Sequence, residues 1–201
     1  MMVRHIHVPD PGSWDIHVPK QVIVMPLRFK VHENAFPHFI TTATVHWIPV
    51  FVRDDYFRVL ADSLTYCAEH KGLAIHGYVL MPHHFHAICS QKEGKIVEVV
   101  RDLKGFTSRR LAPMLESDGK RSWIQAMRNA GATRAEIKIW QDHFHPEQVY
   151  SQEFFEQKLR YMHDNPVRAG FVVDPCAWKY SSAGLYYLNE ASQIPITPIE
   201  W

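Results

Sequence analysis

His84-Phe85-His86 sets two imidazoles two residues apart. In a β-strand, residues i and i+2 point to the same face. Both rings can then meet one divalent cation while Phe85 turns the other way into a core. On a helix the same task needs a spacing of four. Tyr161 is the second reactive group. Its phenol is a weak nucleophile until the proton is lost or a metal and a general base assist. Asn165, four residues further on, shares its helix face. It offers a carbonyl oxygen as a third metal ligand.

Neither feature is decisive alone. With 14 histidines in 201 residues, roughly one H-x-H triplet arises by chance. Three are present: His5/His7, His84/His86 and His143/His145. Only the middle pair lies between apolar, strand-like runs, YVLM before it and AIC after it. The plain alternatives are a hydrogen-bonded histidine pair and an amphipathic core tyrosine. Tyr150, just before the same helix, is a minor alternative nucleophile.

The elements that must position these groups are legible in outline. Residues 38–45 (HFITTATV) are rich in β-branched side chains and predict a strand. Asp54 and Asp55 can cap a helix whose apolar positions include Phe57, Leu60, Leu64 and Cys67. Residues 73–81 predict a second strand, Pro82-His83 a break, and residues 84–90 its hairpin partner. Ile96, Val97, Val99, Val100, Leu103 and Phe106 recur at helical spacing. Arg101, Lys104 and Ser108 lie on another face of that helix, with Arg109 and Arg110 near its end. Pro113, Asp118 and Gly119 are expected to break it. Residues 121–138 mix helical and loop signals. Ser151 can cap a helix running to about residue 164, stopped by Pro166. The order is β-α-β-β-α followed by more helix. That predicts an α+β fold of ferredoxin-like type, an antiparallel sheet with helices packed on it.

Composition narrows the class. Hydrophobic residues make up 46% and charged residues 21%, which is ordinary for a globular domain. No run approaches the ~18 apolar residues of a membrane span, and the N-terminus does not read as a signal peptide. Three scattered cysteines (Cys67, Cys89, Cys176) argue against a disulfide framework and fit a cytoplasmic protein. Net charge is only +1, but residues 92–140 hold 11 Lys/Arg against 6 Asp/Glu. Such a segment suits contact with a phosphate backbone, or equally a solvated helix face. Residues 1–35 are Pro- and His-rich without periodicity and read as an N-terminal extension. Residues 36–190 then form the domain and 191–201 a C-terminal tail.

The run Tyr78-Val-Leu-Met-Pro-His-His-Phe-His-Ala-Ile resembles the motif of the HUH single-tyrosine transposases. The run Leu159-Arg-Tyr-Met-His-Asp-Asn-Pro-Val-Arg-Ala-Gly-Phe-Val, with Tyr180-Ser-Ser after it, resembles REP-associated tyrosine transposases. Ile139-Trp140-Gln141 followed by Phe144, and the opening strand with Pro49-Val-Phe, fit the same family. The resemblance covers about residues 36–186. It implies a ferredoxin-like HUH fold, metal ligation by His84 and His86 with Asn165 as helper, and Tyr161 as nucleophile. The implied reaction cuts single-stranded or hairpin DNA through a 5′-phosphotyrosine intermediate and rejoins it, with Mg²⁺ or Mn²⁺ as cofactor. Arg101, Lys104, Arg109, Arg110 and Arg168 are the candidate DNA contacts. The expected assembly is a monomer or homodimer without membrane association. The alternatives are an inactive hairpin-binding module and a metal nuclease that uses water. One departure stands out: His83 occupies a position where the family usually has Asn. Residues 1–35 lie outside the resemblance.

Overall fold

A strand buried on both sides needs apolar residues at nearly every position, and the central part of this chain supplies them. The computed structural model describes residues 36–133, 136–142, 144, 146–199 and 201. The 1–35 extension and the His5/His7 and His143/His145 pairs lie outside the described residues.

The elements are β1 (His38–Ala43), α1 (Asp54–His70), β2 (Leu73–Met81), β3 (His84–Gln91), α2 (Ile96–Ser117), α3 (Arg121–Asn129), β4 (Glu147–Gln148), α4 (Gln152–His163), α5 (Asn165–Arg168) and α6 (Ala183–Leu188). The sheet runs β2-β3-β1-β4, and every pairing is antiparallel. A β-α-β-β-α-β chain in this order is the ferredoxin-like arrangement expected from the sequence. β4, two residues long, was not foreseen. Among the described residues it pairs with His38 and Phe39.

Two layers cover the sheet. On one face, Ile40, Leu80, Phe85 and Cys89 pack with Leu60 and Leu64 of α1 and Leu103 and Leu111 of α2. On the other, Phe39, Val79, Met81 and Ile88 pack with Phe155, Leu159 and Met162 of α4. Alternate residues of β3 thus serve different cores, which is the period-two rule applied to a doubly covered strand.

Three local expectations are corrected. α2 continues through Pro113 to Ser117. Pro113 is exposed, whereas Leu111 and Leu115 are fully buried. Burial on either side of the proline outweighs one lost backbone hydrogen bond. The stop comes at Asp118, followed by Gly119 at φ +67. The residue preceding α1 is Arg53, without a side-chain cap, and Asp54 and Asp55 occupy the first turn. There their carboxylates face the positive end of the helix dipole. β1 ends at Ala43 rather than Val45, because the chain turns into a 3₁₀ turn at Val45–Trp47. The Ser151 cap is present: its hydroxyl accepts from Phe154 N–H.

Residues after α5 close the outer edge of β2. Leu80 N–H donates to Tyr180 O (2.8 Å), Ser182 N–H to Tyr78 O (3.0 Å) and Thr197 N–H to Ile75 O (2.7 Å). Ile194 and Ile199 are buried. Among the described residues, no helix is long and apolar enough to cross a membrane.

α4 sits close to the sheet because Gly77 has no side chain. A Cβ there would lie 2.5 Å from Met162 Cε and 2.7 Å from Leu159 Cδ1. Both neighbours are fully buried, so they have little room to yield. Gly77→Ala is expected to cost about 1–3 kcal/mol as an overpacked core and to push α4 outward. Chemical denaturation measures this, and wild-type stability would show that α4 tolerates the extra methyl.

Candidate active site

The register of β3 decides where its histidines point. His86 lies opposite Thr41 of β1 and Val79 of β2, and His84 lies opposite Ala43 and Met81. Both imidazoles therefore share the α4 face of the sheet, while Phe85 enters the opposite core. The two rings are 4.7 Å apart, centroid to centroid.

α4 brings Tyr161 to this pair. The Tyr161 ring is 5.7 Å from His86 and 6.1 Å from Phe39. Phe39 in turn stacks on His86 at 5.2 Å. Tyr161 remains 43% exposed, so an outside molecule can reach this side chain. The Arg168 guanidinium lies over the same ring at 5.4 Å. Asn165 donates Nδ2–H to Tyr161 O at 3.3 Å, and its side chain also meets His84. The structure thus brings together Tyr161, His84, His86, Asn165 and Arg168.

The basic residues of α2 are elsewhere. α2 packs on the opposite face of the sheet. There Arg101, Arg109 and Arg110 line a groove of about 930 Å³ between α1 and α2. Lys104 is turned to structural work. Its ammonium donates to Gln141 O (2.7 Å) and lies over the Phe144 ring (5.4 Å).

Three supporting features were not foreseen. The first is the anchor of α4. His163 is fully buried two residues after the tyrosine. Its Nε2 meets Ser182 Oγ at 2.8 Å and its Nδ1 meets Tyr187 OH at 3.2 Å. The Ser182 hydroxyl also accepts from Tyr78 N–H at 3.0 Å. A buried polar chain thus ties the end of α4 to β2. The second is the pair of partners at the site histidines. Thr41 Oγ1 lies 2.8 Å from His86 Nδ1, and His83 Nδ1 lies 3.0 Å from His84 Nδ1. The third is Trp47, edge-on to His83 (5.3 Å) and His84 (5.9 Å).

Burial pushes the basicity of both site histidines down, to about 4 for His84 and about 3 for His86. Each neighbouring positive charge adds to the effect. Both rings are therefore neutral near pH 7, the form that ligates a metal. With His86 Nδ1 occupied by Thr41, the tautomer that donates from Nδ1 leaves Nε2 to carry its lone pair, whereas His84 is held by both His83 and Asn165. Among the described residues, no group of three or more His, Cys, Asp or Glu gathers. The donor set available to a cation is therefore two imidazoles and the Asn165 amide oxygen. This suits an open, partly hydrated ion such as Mg²⁺ or Mn²⁺ better than a closed structural zinc site.

No protein-family model matches the chain, and no curated protein compared with it does. Solved structures do match. The fold is shared with one solved tyrosine transposase. It is a REP-associated tyrosine transposase bound to a REP hairpin, with TM-score 0.57 and 18% identity, covering 88% of this chain and 98% of that one. A candidate transposase from Deinococcus radiodurans R1 aligns at TM-score 0.45 and 19% identity, over 66% of this chain and 92% of its own.

The Thr41 contact carries an expectation of its own. Thr41→Val removes the partner of His86 Nδ1 while keeping the strand-forming shape. Mn²⁺ affinity, read by titration calorimetry, should fall roughly 10-fold or more. Equal affinity in the two proteins would detach Thr41 from the orientation of His86.

Proposed function

We propose that this protein is a metal-dependent single-strand DNA endonuclease and strand transferase acting beside hairpin DNA. The observation that carries the reading is the juxtaposition of an accessible Tyr161 with His86 and His84 on one face of the sheet. The likeness of the fold to a transposase bound to a REP hairpin supports it.

The Tyr161 hydroxyl oxygen bonds to the scissile phosphorus and the bond from phosphorus to the 3′ oxygen breaks, the phenolic proton ending on the departing 3′ oxygen. One strand leaves with a 3′ hydroxyl and the other stays on Tyr161 as a 5′-phosphotyrosine. The phosphodiester count is unchanged, so a 3′ hydroxyl can reverse the step and join a strand without ATP. A Mg²⁺ or Mn²⁺ ion on His84, His86 and Asn165 would supply positive charge to the phosphoryl oxygens. Phe39 and the sheet wall off one side of the Tyr161 ring, and Arg168 covers it with positive charge. On the far face, Arg101, Arg109 and Arg110 contact the backbone of the hairpin stem.

The test uses labelled single-stranded oligonucleotides carrying hairpins from the neighbourhood of the gene, with Mn²⁺ or Mg²⁺, on denaturing gels. A labelled protein band that requires metal is expected, and it should vanish in Tyr161→Phe and His84→Ala. Cleavage surviving Tyr161→Phe without an adduct would instead identify a nuclease that uses water. Binding of the hairpin without cleavage would identify an inactive binding module. Neutralising Arg109 and Arg110 together should flatten the dependence of log affinity on log salt by about two. An unchanged slope would remove α2 from the DNA interface.

A further inference from the structure

Two large aromatic side chains that touch the rings around the site, directly or through neighbours, are largely exposed. Trp47 is 53% exposed and Tyr150 is 66% exposed. Scattered surface aromatics are ordinary, but these two end a chain of ring contacts that the Lys158 ammonium bridges midway. Trp47 meets His84 at 5.9 Å, and His84 meets His86 at 4.7 Å. His86 stacks on Phe39 at 5.2 Å. The Lys158 ammonium bridges Phe39 and Phe154, 5.0 Å from each ring. Phe154 stacks on Tyr150 at 4.9 Å. Tyr161 stands beside the middle of this line, against His86 and Phe39.

Trp47 is held there at a conformational cost. It and His46 both adopt left-handed backbone, at φ 55 and φ 52. Bulky non-glycine residues rarely adopt it, and the cost is kept where surrounding structure imposes it. At the other end, Phe154, Lys158 and Tyr161 follow helical spacing along one side of α4. Phe154 lies about 10 Å of helix rise from Tyr161. That is room for about three stacked nucleotides at the 3.4 Å duplex rise. Lys158 is already ion-paired with Glu147 at 2.6 Å. The line therefore offers ring faces rather than net positive charge, unlike the arginines of α2.

We propose that Trp47 and Tyr150 each stack a nucleobase of a single DNA strand, one on either side of the phosphate presented to Tyr161. The proposal rests on the functional reading above and names the path of its substrate. Stacking on ring faces is tolerant of sequence. These two positions thus hold the strand while the hairpin supplies recognition.

Fluorescence anisotropy without metal tests this apart from cleavage. The probes are a labelled single-stranded oligonucleotide and one of equal length with abasic sites in place of its bases. Trp47→Ala and Tyr150→Ala should each weaken binding of the intact probe roughly 5- to 100-fold, the range for losing one stacked base. Trp47→Phe and Tyr150→Phe, which keep a ring, should bind nearly as wild type. The abasic probe should bind all variants about equally. Wild-type affinity in either alanine variant would overturn the proposal while leaving the functional reading intact. So would equal binding of the two probes by the wild type. Failure of the wild type to bind any single strand or hairpin would remove both. Thermal unfolding confirms that the alanine variants are folded.

Discussion

β3 is covered on both faces, and its period of two must satisfy both at once. His84 and His86 belong to one face and Phe85, Ala87 and Cys89 to the other. A slip of one residue against β1 or β2 would exchange the sets, burying imidazoles in the α1–α2 core and turning Phe85 toward Tyr161. The apolar side chains therefore fix the histidines. The cost of misplacing Phe85 alone, a few kcal/mol of lost burial, enforces the position of groups that contribute little to stability themselves.

The tyrosine depends on a second constraint, the closeness of α4 to the sheet. Gly77 permits the approach and the buried chain through His163, Ser182 and the Tyr78 backbone fixes it. Burial holds the His163 imidazole well below its usual basicity, at about 3. It is thus a neutral hydrogen-bonding group near pH 7. The helix segment carrying Tyr161 is held by a buried, neutral bolt two residues away, while Tyr161 itself stays 43% exposed. Rigidity and access are divided between different sides of one helix.

Much of this was legible in the sequence. Residues 73–81 and the break at Pro82-His83 were read as they are found, because β-branched and apolar runs bounded by proline leave little choice. The His84/His86 pair and Tyr161 were identified by spacing and by resemblance. What was not legible depends on partners far apart in sequence. Thr41 looked like one β-branched residue among several, and only the register of β1 against β3 makes it the partner of His86. Ser182 and His163 lay in the motifs that carried the resemblance, but their mutual bond follows from tertiary packing. α2 carries four of the 11 Lys/Arg read as a basic surplus over residues 92–140. That it lies on the opposite face from the histidines could not follow from a linear pattern. β4 has no apolar alternation, since both its residues are exposed. Pro113 misled because propensity was weighed without the burial of Leu111 and Leu115.

The covering of β2 has a consequence for how copies of this chain can meet. An outer strand normally presents a row of free amides and carbonyls that invites a neighbour's strand. Here Ile75, Tyr78 and Leu80 already spend theirs on Thr197, Ser182 and Tyr180. The opposite margin, β4, is only two residues long. Among the described residues, strand-by-strand extension is therefore hindered at the longer margin, and the shorter one offers only two residues to a neighbour's strand.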